Sequence, residues 1–445
     1  FGNEFIEAAS DPRVVKVAHH AQFDRVLLKC QAGGWLNIPR EQWDCTMARA
    51  MIHGLPGKLD KLSQIYHLGD DAKKDGHDLI MLFCERGEDP DEHIVEWMQF
   101  IEYSSFDITS LRRLDHELPD WCWTPHEKRI YHLTQKINDV GFKADLPLAM
   151  HMIEASSQAT SSLNRRIVKL SDGTIEKGTQ GKRIKEWLNT ESEHEFDNLK
   201  AETLRKAVRD FKAGSVMLDA AQLEMIELRL LAAKSSISKC KVALAQAGDD
   251  ARIRYAKTYA GGGRIGRFSH KGFQPGNMPR PSQKFKKIVP QIIDALGARM
   301  AYDVWGDETV AACSDAIRGL IIADEGKKIC VADWSNIEGR WLAWMLGEEW
   351  KLQAYREQDL GIGEDGYKLL FHRMTGIPLE LIDDFLRQQG KGVDLSMGYE
   401  GGVGAFLNIA NSYQIDLVML ADAAPKTLPA EFMERGRSSW AWAQK

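Results

Sequence analysis

The chain lacks several features that would assign it to a class at once. Its seven cysteines are an odd number without CxxC spacing, which argues against a disulfide framework and against a zinc site. No run of about eighteen apolar residues is present, so no membrane span is expected. The N-terminus carries neither a basic segment nor a continuous apolar stretch of the signal-peptide type. These absences predict a reducing compartment and a cytoplasmic location.

A phosphate-binding loop is also missing. The glycine cluster Gly261–Gly263 is not followed by Gly-Lys-Ser/Thr, which argues against a P-loop ATPase and predicts a tight connection instead. The formal net charge of −6 is unusual for a protein that binds nucleic acid, but a net charge averages over all surfaces. The segment from Arg252 to Lys287 contains ten Lys and Arg residues and no Asp or Glu. It is the clearest candidate for a polyanion-binding surface.

Two segments in the second half of the chain carry the most information. An apolar run from Ile329 to Ala332 precedes Asp333 and predicts a buried strand that ends at a carboxylate. Downstream, Arg387, Lys391, Leu395 and Tyr399 recur every four residues, so a helix would place them in one stripe roughly 18 Å long. Arg and Lys suit phosphate oxygens, whereas the leucine and the tyrosine suit a base. Together the segments predict a site for a metal-bound triphosphate.

These segments resemble the motifs of a known family. The string DWSNIEGR, residues 333–340, resembles motif A of family A (Pol I-like) DNA polymerases, and RQQGKGVDLSMGYEGG, residues 387–402, resembles motif B of their bacteriophage-type members. Gly266–Ser269 and Gln274–Pro279 are similar to the segment that contacts primer and template. The three motifs occur in the family's order.

The resemblance implies a role for each matching residue. Asp333 would bind the catalytic ions, and Glu338 would pack beneath the sugar and exclude a 2′-hydroxyl; a helix-start glutamate paired with Arg340 is the alternative for Glu338. The nucleotide-binding residues would be Glu338, Arg387, Lys391, Leu395 and Tyr399, with Lys391 also protonating the pyrophosphate. The residues contacting DNA would be Arg267, Gln274 and Asn277. Leu395 departs from the Phe or Tyr of many relatives, and Gly276 stands where they often have Gln.

A further resemblance lies near the start of the chain. The string VAHHAQFD, ending at Asp24, resembles the second motif of proofreading 3′-5′ exonuclease domains, and Tyr103 with Asp107 resembles the third. Asp24 and Asp107 would then be metal ligands, and Tyr103 would lie near the attacking water. The family's Asp-x-Glu motif is absent from the 23 residues before Asp24.

Each active site therefore lacks expected ligands, because the His-Asp-Glu hairpin that supplies a second carboxylate is missing as well. The sequence predicts a fragment, a partly represented chain or one half of a split enzyme, and it leaves these alternatives open. Two functions from different classes follow. The chain is either a DNA polymerase with an associated exonuclease or a catalytically inactive DNA-binding relative.

The predicted fold is a multidomain α/β protein, incomplete at both ends: an RNase H-like exonuclease domain (1–125), a helical linker and thumb (126–250), a palm with motif A (251–346) and fingers with motif B (347–445).

The resemblance implies two Mg²⁺ ions per active site, with Mn²⁺ as an alternative. The implied partners are primer-template DNA, deoxynucleoside triphosphates, and a processivity factor or complementary chain, in the cytoplasm of a host cell if the chain is phage-encoded. Strand Val14–Ala18, helices over 126–139, 148–170 and 220–247, and a helix C-cap at Gly141 are also predicted.

Overall fold

A computed structural model describes most of the chain: residues 3–31, 33–34, 36–68, 76–190, 194–232, 236–282 and 284–398, with Gly402, Gly404, Phe406, Leu407, Ala410 and Glu434. The chain forms two compact units, Phe1–Ile329 and Cys330–Lys445. The predicted palm, 251–346, spans this boundary, and the four predicted domain ranges stay predictions. Within the described helices, none is long and apolar enough to cross a membrane.

Helices dominate the first unit, and its strands are short. Its helices are α1 Asn3–Ser10, α2 Ala21–Gln31, α3 Thr46–Ile52, α4 Leu59–Ile65, α5 His77–Ile80, α6 Ile94–Glu117, α7 Pro125–Val140, α8 Leu146–Leu170, α9 Gly181–Thr190, α10 Ala201–Lys212, α11 Ala220–Ala232, α12 Ser238–Gln246, α13 Val289–Gly297, α14 Ala301–Trp305 and α15 Thr309–Ala316. Its strands are β1 Lys16–Ala18, β2 Trp43–Cys45, β3 Phe142–Ala144, β4 Arg252–Ile253, β5 Lys257–Thr258, β6 Ser269–His270 and β7 Ile321–Ile322.

The strands form three small sheets. β1 and β2 are parallel and joined through α2, with Lys16 opposite Trp43. The antiparallel sheet β4-β3-β7 joins segments far apart in sequence, and β5 pairs with β6. The α/β character is therefore confirmed, whereas an RNase H-like exonuclease fold stays a prediction.

Local sequence signals explain where helices α7 and α8 begin and where α7 ends. Thr124 caps α7 by accepting the Glu127 N–H at 3.3 Å, and Asp145 caps α8 by accepting the Leu148 N–H at 2.9 Å. The predicted C-cap at Gly141 is confirmed, with a φ of 63°. Helix α8 then contributes Met152 to one hydrophobic core and Leu163 to the next, so it links the two.

The predicted helices over 126–139 and 148–170 are confirmed, while 220–247 contains two separate helices, α11 and α12. The predicted strand at Ile329–Ala332 is wrong. These residues have no regular structure, and Val331 is 89% exposed. An apolar run forms a buried strand only beside a partner that takes its backbone hydrogen bonds, and no strand in the described part of the chain lies against it. The strand in this region is instead β7.

The second unit, as far as it is described, is helical. Its helices are α16 Ile337–Leu346, α17 Glu349–Asp359, α18 Gly366–Thr375 and α19 Asp384–Gly398. Helix α19 packs against α18 and α16, and α17 packs against α16 and α18. A buried ion pair between Lys351 Nζ and Asp394 Oδ1, 2.5 Å apart, also ties α17 to α19.

Candidate functional sites

The predicted stripe of cations lies on helix α19. Arg387, Lys391 and Leu395 recur along this helix, and each side chain is half-buried. The helix is confirmed through Gly398, whereas Tyr399 lies outside the described residues. The four-residue spacing therefore places two positive charges on successive turns of one face.

A tyrosine and a carboxylate from α18 face these cations. The Arg387 Cζ atom lies 5.2 Å and the Lys391 Nζ atom 5.8 Å from the centre of the Tyr367 ring. Arg387 also donates a hydrogen bond to Asp365 Oδ2 at 2.8 Å. Asp365 Oδ1 accepts the backbone N–H groups of Tyr367 at 3.0 Å and Lys368 at 3.2 Å, which caps α18. The cations, the ring and the capping carboxylate thus form one cluster.

Sequence reasoning missed Asp365 and Tyr367. The signal was present, since an aspartate immediately before a helix is a common N-cap. Nothing in the sequence, however, linked that cap with residues more than twenty positions downstream. The packing of α18 on α19 makes the link.

Asp333 lies in the same unit as this cluster but not at the end of a strand. It is exposed, in an irregular segment that leads through Asn336, at a φ of 47°, into α16. Because α16 packs against α19, both predicted halves of the triphosphate site belong to one helical assembly. Glu338 is exposed in the first turn of α16.

The start of α16 is held by an aromatic contact. Asn336 Nδ2 donates to the Tyr355 hydroxyl at 2.7 Å, and the Arg340 Cζ atom lies 4.7 Å from the Tyr355 ring centre. Arg340 also forms two hydrogen bonds with Asp359, each 2.7 Å long. A Cβ at Gly339 would lie 2.8 Å from the Tyr355 hydroxyl oxygen, so the close contact between α16 and the Tyr355 side chain requires glycine at this position. Contacts with α17 therefore fix the position of the segment from Asn336 to Arg340.

The predicted DNA-contacting residues lie in the first unit, in the loops around β6. Arg267 and Asn277 are exposed and Gln274 is half-buried. Asn277 Nδ2 donates to Gln274 Oε1 at 3.1 Å, and the Gln274 carbonyl accepts from Lys239 Nζ at 3.3 Å. A Cβ at Gly276 would lie 2.5 Å from the His270 ring, so the glutamine of many relatives has no room here.

The basic segment from Arg252 to Lys287 is partly neutralised. Arg252 pairs with Asp324, Arg254 with Asp250 and Lys284 with Glu308. Three of its cations thus form ion pairs within the protein, so binding of a polyanion by this segment would depend on its other Lys and Arg residues.

The two aspartates of the exonuclease-like motifs line one cleft. Asp24 projects from α2 and Asp107 from α6 into a cavity of about 790 Å³. Burial raises the pKa of the Asp24 carboxyl above its ordinary value. Sequence reasoning missed Asp60 and Lys58, which line the same cleft from the start of α4.

Tyr103 is not among the residues that line this cleft. Its side chain is only 8% exposed, and its ring stacks on Phe100 with centroids 6.1 Å apart. Phe83 stacks in turn on Phe100 at 5.5 Å, so an aromatic cluster holds the ring. The predicted position of Tyr103 beside an attacking water stays a prediction.

The described residues do not form a complete site for the expected metal ions. No group of three or more His, Cys, Asp or Glu side chains among them is arranged to hold a metal. Magnesium needs several oxygen ligands, so Asp333 alone does not make a site, and Asp24 with Asp107 does not either.

The chain is similar in sequence to one known protein and in fold to another, as follows. No protein-family model matches the chain. The chain is 26% identical over 420 residues to a DNA polymerase of Bacillus phage SP02, a match that covers 92% of this chain and 62% of the relative. The chain thus spans less than two thirds of the length of that relative.

The fold is similar to a solved polymerase domain. It matches the POL domain of Pol1 from M. smegmatis, solved in complex with DNA primer-template and dNTP, with a TM-score of 0.53 and 15% identity over 95% of this chain and 67% of that one. At this identity the likeness shows the fold alone. The chain is thus similar in sequence to a phage DNA polymerase and in fold to a polymerase domain.

Proposed function

We propose that the chain is part of a template-directed DNA polymerase that adds deoxynucleotides to a primer 3′ end. The observation that carries this proposal is the cluster on α18 and α19, where Arg387 and Lys391 lie on successive turns beside Tyr367. In the reaction the primer 3′-oxygen bonds to the α-phosphorus and pyrophosphate leaves. Arg387 binds the triphosphate, and Lys391 binds it and gives a proton to the leaving pyrophosphate.

The remaining nucleotide contacts follow from the family motifs. Glu338 fills the space beside C2′ and rejects a ribonucleotide by overlap, while Leu395 and Tyr399 contact the base. Arg267, Gln274 and Asn277 contact the primer-template, with Arg267 in the minor groove, where every correct pair presents similar acceptors. Affinity for DNA is then salt-dependent and largely independent of sequence.

Primer extension tests this function directly. The chain, and a longer form with the flanking residues of its gene, are incubated with primer-template, dNTPs and Mg²⁺ or Mn²⁺. Extension by either form, abolished by Asp333→Asn, supports the polymerase. Because Asp333 needs further oxygen ligands, the longer form is expected to be the more active one.

We also propose an associated 3′-5′ exonuclease, supported by Asp24 and Asp107 in one cleft. Release of deoxynucleoside monophosphates from a mismatched primer by the longer form, lost in Asp24→Asn, supports it. Absence of release would remove the exonuclease from the proposal without affecting the polymerase.

The second candidate is a catalytically inactive DNA-binding relative. It is favoured by one observation: the described carboxylates assemble no three-ligand metal group. Retention of primer-template in a mobility-shift assay, without extension or degradation by the longer form, would establish it. The processivity factor or complementary chain stays a prediction.

A further inference from the structure

Helix α6 carries a stripe of apolar side chains that are open to solvent. Ile94, Met98, Ile101 and Ile108 are 65%, 60%, 47% and 59% exposed. With Ser105, they follow one another at steps of four, three, four and three residues. This is the heptad spacing by which one helix packs along a second helix.

The buried face of α6 lies opposite this stripe. Its buried residues are Tyr103, Ser110 and Leu114. At about 100° per residue they lie roughly 180° around the helix from Ile101. The stripe is therefore separate from the contacts that hold α6 in the fold, and an exposed apolar row of this kind is typical of an interaction surface.

Opposite charges lie at the two ends of the stripe. Before its N-terminal end, the segment 85–92 contains the one cation Arg86 and five exposed carboxylates, those of Glu85, Glu88, Asp89, Asp91 and Glu92. Beyond its C-terminal end, the exposed Arg112 continues the heptad spacing, four residues after Ile108. Neither Arg112 nor any of the five carboxylates forms an ion pair within the part of the chain that the structure describes.

An antiparallel pairing with a second copy of the chain matches the apolar stripe with itself. With a twofold axis at Ile101, this side chain contacts the partner's Ile101, and Ile94 contacts the partner's Ile108. Met98 then contacts the partner's Ser105. Twofold pairs of identical surfaces are the commonest form of self-association in soluble proteins.

The same axis brings the opposite charges together. Arg112 lies eleven residues after Ile101, and the partner's Asp89 and Asp91 lie twelve and ten residues before the partner's Ile101. Arg112 would thus reach these carboxylates at each end of the pair. A parallel pairing would bring the two acidic segments side by side, where they repel. The charges therefore favour a second copy in the antiparallel orientation.

We propose that α6 is a dimer interface, at which two copies of the chain pack antiparallel along the stripe. The stripe covers only about two heptads, so the dimer is weak and reversible, as expected of a small interface. Ile108 also lines the cleft of Asp24 and Asp107, so the partner lies at the edge of that cleft.

Sedimentation equilibrium of the full chain over about a hundredfold range of concentration tests the dimer by mass action. A longer form with the flanking residues of its gene is measured in the same way. Both forms should pass reversibly from monomer to dimer as the concentration rises. The measurement needs neither polymerase nor exonuclease activity, so its result is independent of the proposed function.

Two aspartate variants locate the interface. Ile101→Asp places two carboxylates against each other at the twofold axis and should weaken the dimer at least tenfold. Gln99→Asp adds the same charge at an exposed position outside the stripe and should leave the affinity within twofold. Both side chains are exposed, so both variants should fold, and circular dichroism verifies that they do.

A third variant tests the stripe by gain of affinity. Ser105 is the one polar position among its five residues. Ser105→Leu should tighten the dimer at least tenfold, because each dimer then buries two more apolar side chains.

A charge exchange tests the orientation. Arg112→Glu should weaken the dimer about fivefold, because it turns an attraction at each end into a repulsion. Adding Asp91→Lys to this variant should recover part of the loss. In a parallel pair, Arg112 would lie beside the partner's Arg112, and neither change would have this effect.

The proposal is overturned if either form stays monomeric over the whole range, because the stripe then does not bind a second copy in solution. It is also overturned if Ile101→Asp and Gln99→Asp have the same affinity, because the copies then meet at another surface. An unchanged affinity in Ser105→Leu, or a charge exchange without effect, would overturn the antiparallel pairing along the stripe.

Discussion

Asp365 accepts a hydrogen bond from Arg387 at 2.8 Å while its other oxygen caps helix α18. One carboxylate thus positions a cation of the proposed triphosphate site and fixes the helix that carries Tyr367. An incoming triphosphate would compete with Asp365 for the Arg387 guanidinium. The nucleotide-free site therefore has an internal counter-ion.

Asp365→Asn is expected to tighten the binding of a deoxynucleoside triphosphate, because a neutral amide keeps the helix cap but no longer repels phosphate. A tightening of about fivefold corresponds to roughly 1 kcal/mol, the size of a charge interaction near a surface. Fluorescence titration at two salt concentrations measures the effect, which should shrink at the higher salt. Weaker binding by the variant would mean that Asp365 acts mainly by orienting Arg387.

Lys391→Ala is expected to slow single-nucleotide incorporation by roughly a hundredfold, the size of a lost general acid, with little change in affinity for the duplex. Single-turnover extension by an active form of the protein gives the rate, and a mobility-shift titration gives the affinity. Lys368→Ala, on the neighbouring helix, is the control and should retain the rate. An unchanged rate in Lys391→Ala would refute the assigned role.

Asp394→Ala is expected to destabilise the second unit, by at most about 3–5 kcal/mol, because it leaves the buried Lys351 charge with only the Glu348 carboxylate, 4.0 Å away. The two side chains are only 11% and 8% exposed, so water does not replace the lost contact. Urea unfolding measures the change. The double variant Lys351→Met, Asp394→Leu is the control and should recover most of the stability, since it buries no charge.

Asp24→Asn is expected to stabilise the chain at pH 7, and this gain should vanish as the pH falls towards 3.8, the ordinary pKa of an aspartate. Burial raises the pKa of Asp24 in the folded protein, so the folded state binds its proton more tightly than the unfolded state does. The contribution of Asp24 to stability is therefore complete below that value and is lost as the pH rises through its folded pKa. Melting temperatures of both proteins across this range give the comparison, and a gain that grows at low pH would contradict the assignment.

The sequence predicted the structure correctly where the structure depends only on neighbouring residues in the chain. The stripe of Arg387, Lys391 and Leu395 follows from the helical repeat, and the turn at Gly141 follows from the need for a positive φ at a helix end. Strand β1 also lies within the predicted strand Val14–Ala18, although only Ala18 of its three residues is buried and Val17 is exposed.

The sequence failed where a contact depends on distant segments. Ile329–Ala332 has the composition of a buried strand, but a strand also needs a partner, and composition does not specify one. The stacking of the Tyr103 ring on Phe100 likewise lies outside any motif, while the catalytic role of Tyr103 stays a prediction. The pairing of Asp365 with Arg387 likewise depends on the packing of two helices.

Gly141 allows a matched test of close backbone approach. Gly141 and Gly173 both adopt a positive φ, 63° and 82°. The ψ of Gly141 is −167°, in a region that essentially only glycine populates, so alanine should cost about 1–3 kcal/mol in backbone strain there and about 1–2 kcal/mol at Gly173. A Cβ at Gly141 would also lie 2.4 Å from the Ile253 carbonyl oxygen, whereas one at Gly173 would meet nothing within 4 Å. Gly141→Ala should therefore destabilise the chain by about 2 kcal/mol more than Gly173→Ala in urea unfolding, since β3 and β4 must separate to admit the methyl group. Equal losses in the two variants would contradict this prediction, because they would mean that β3 and β4 separate at no cost in stability.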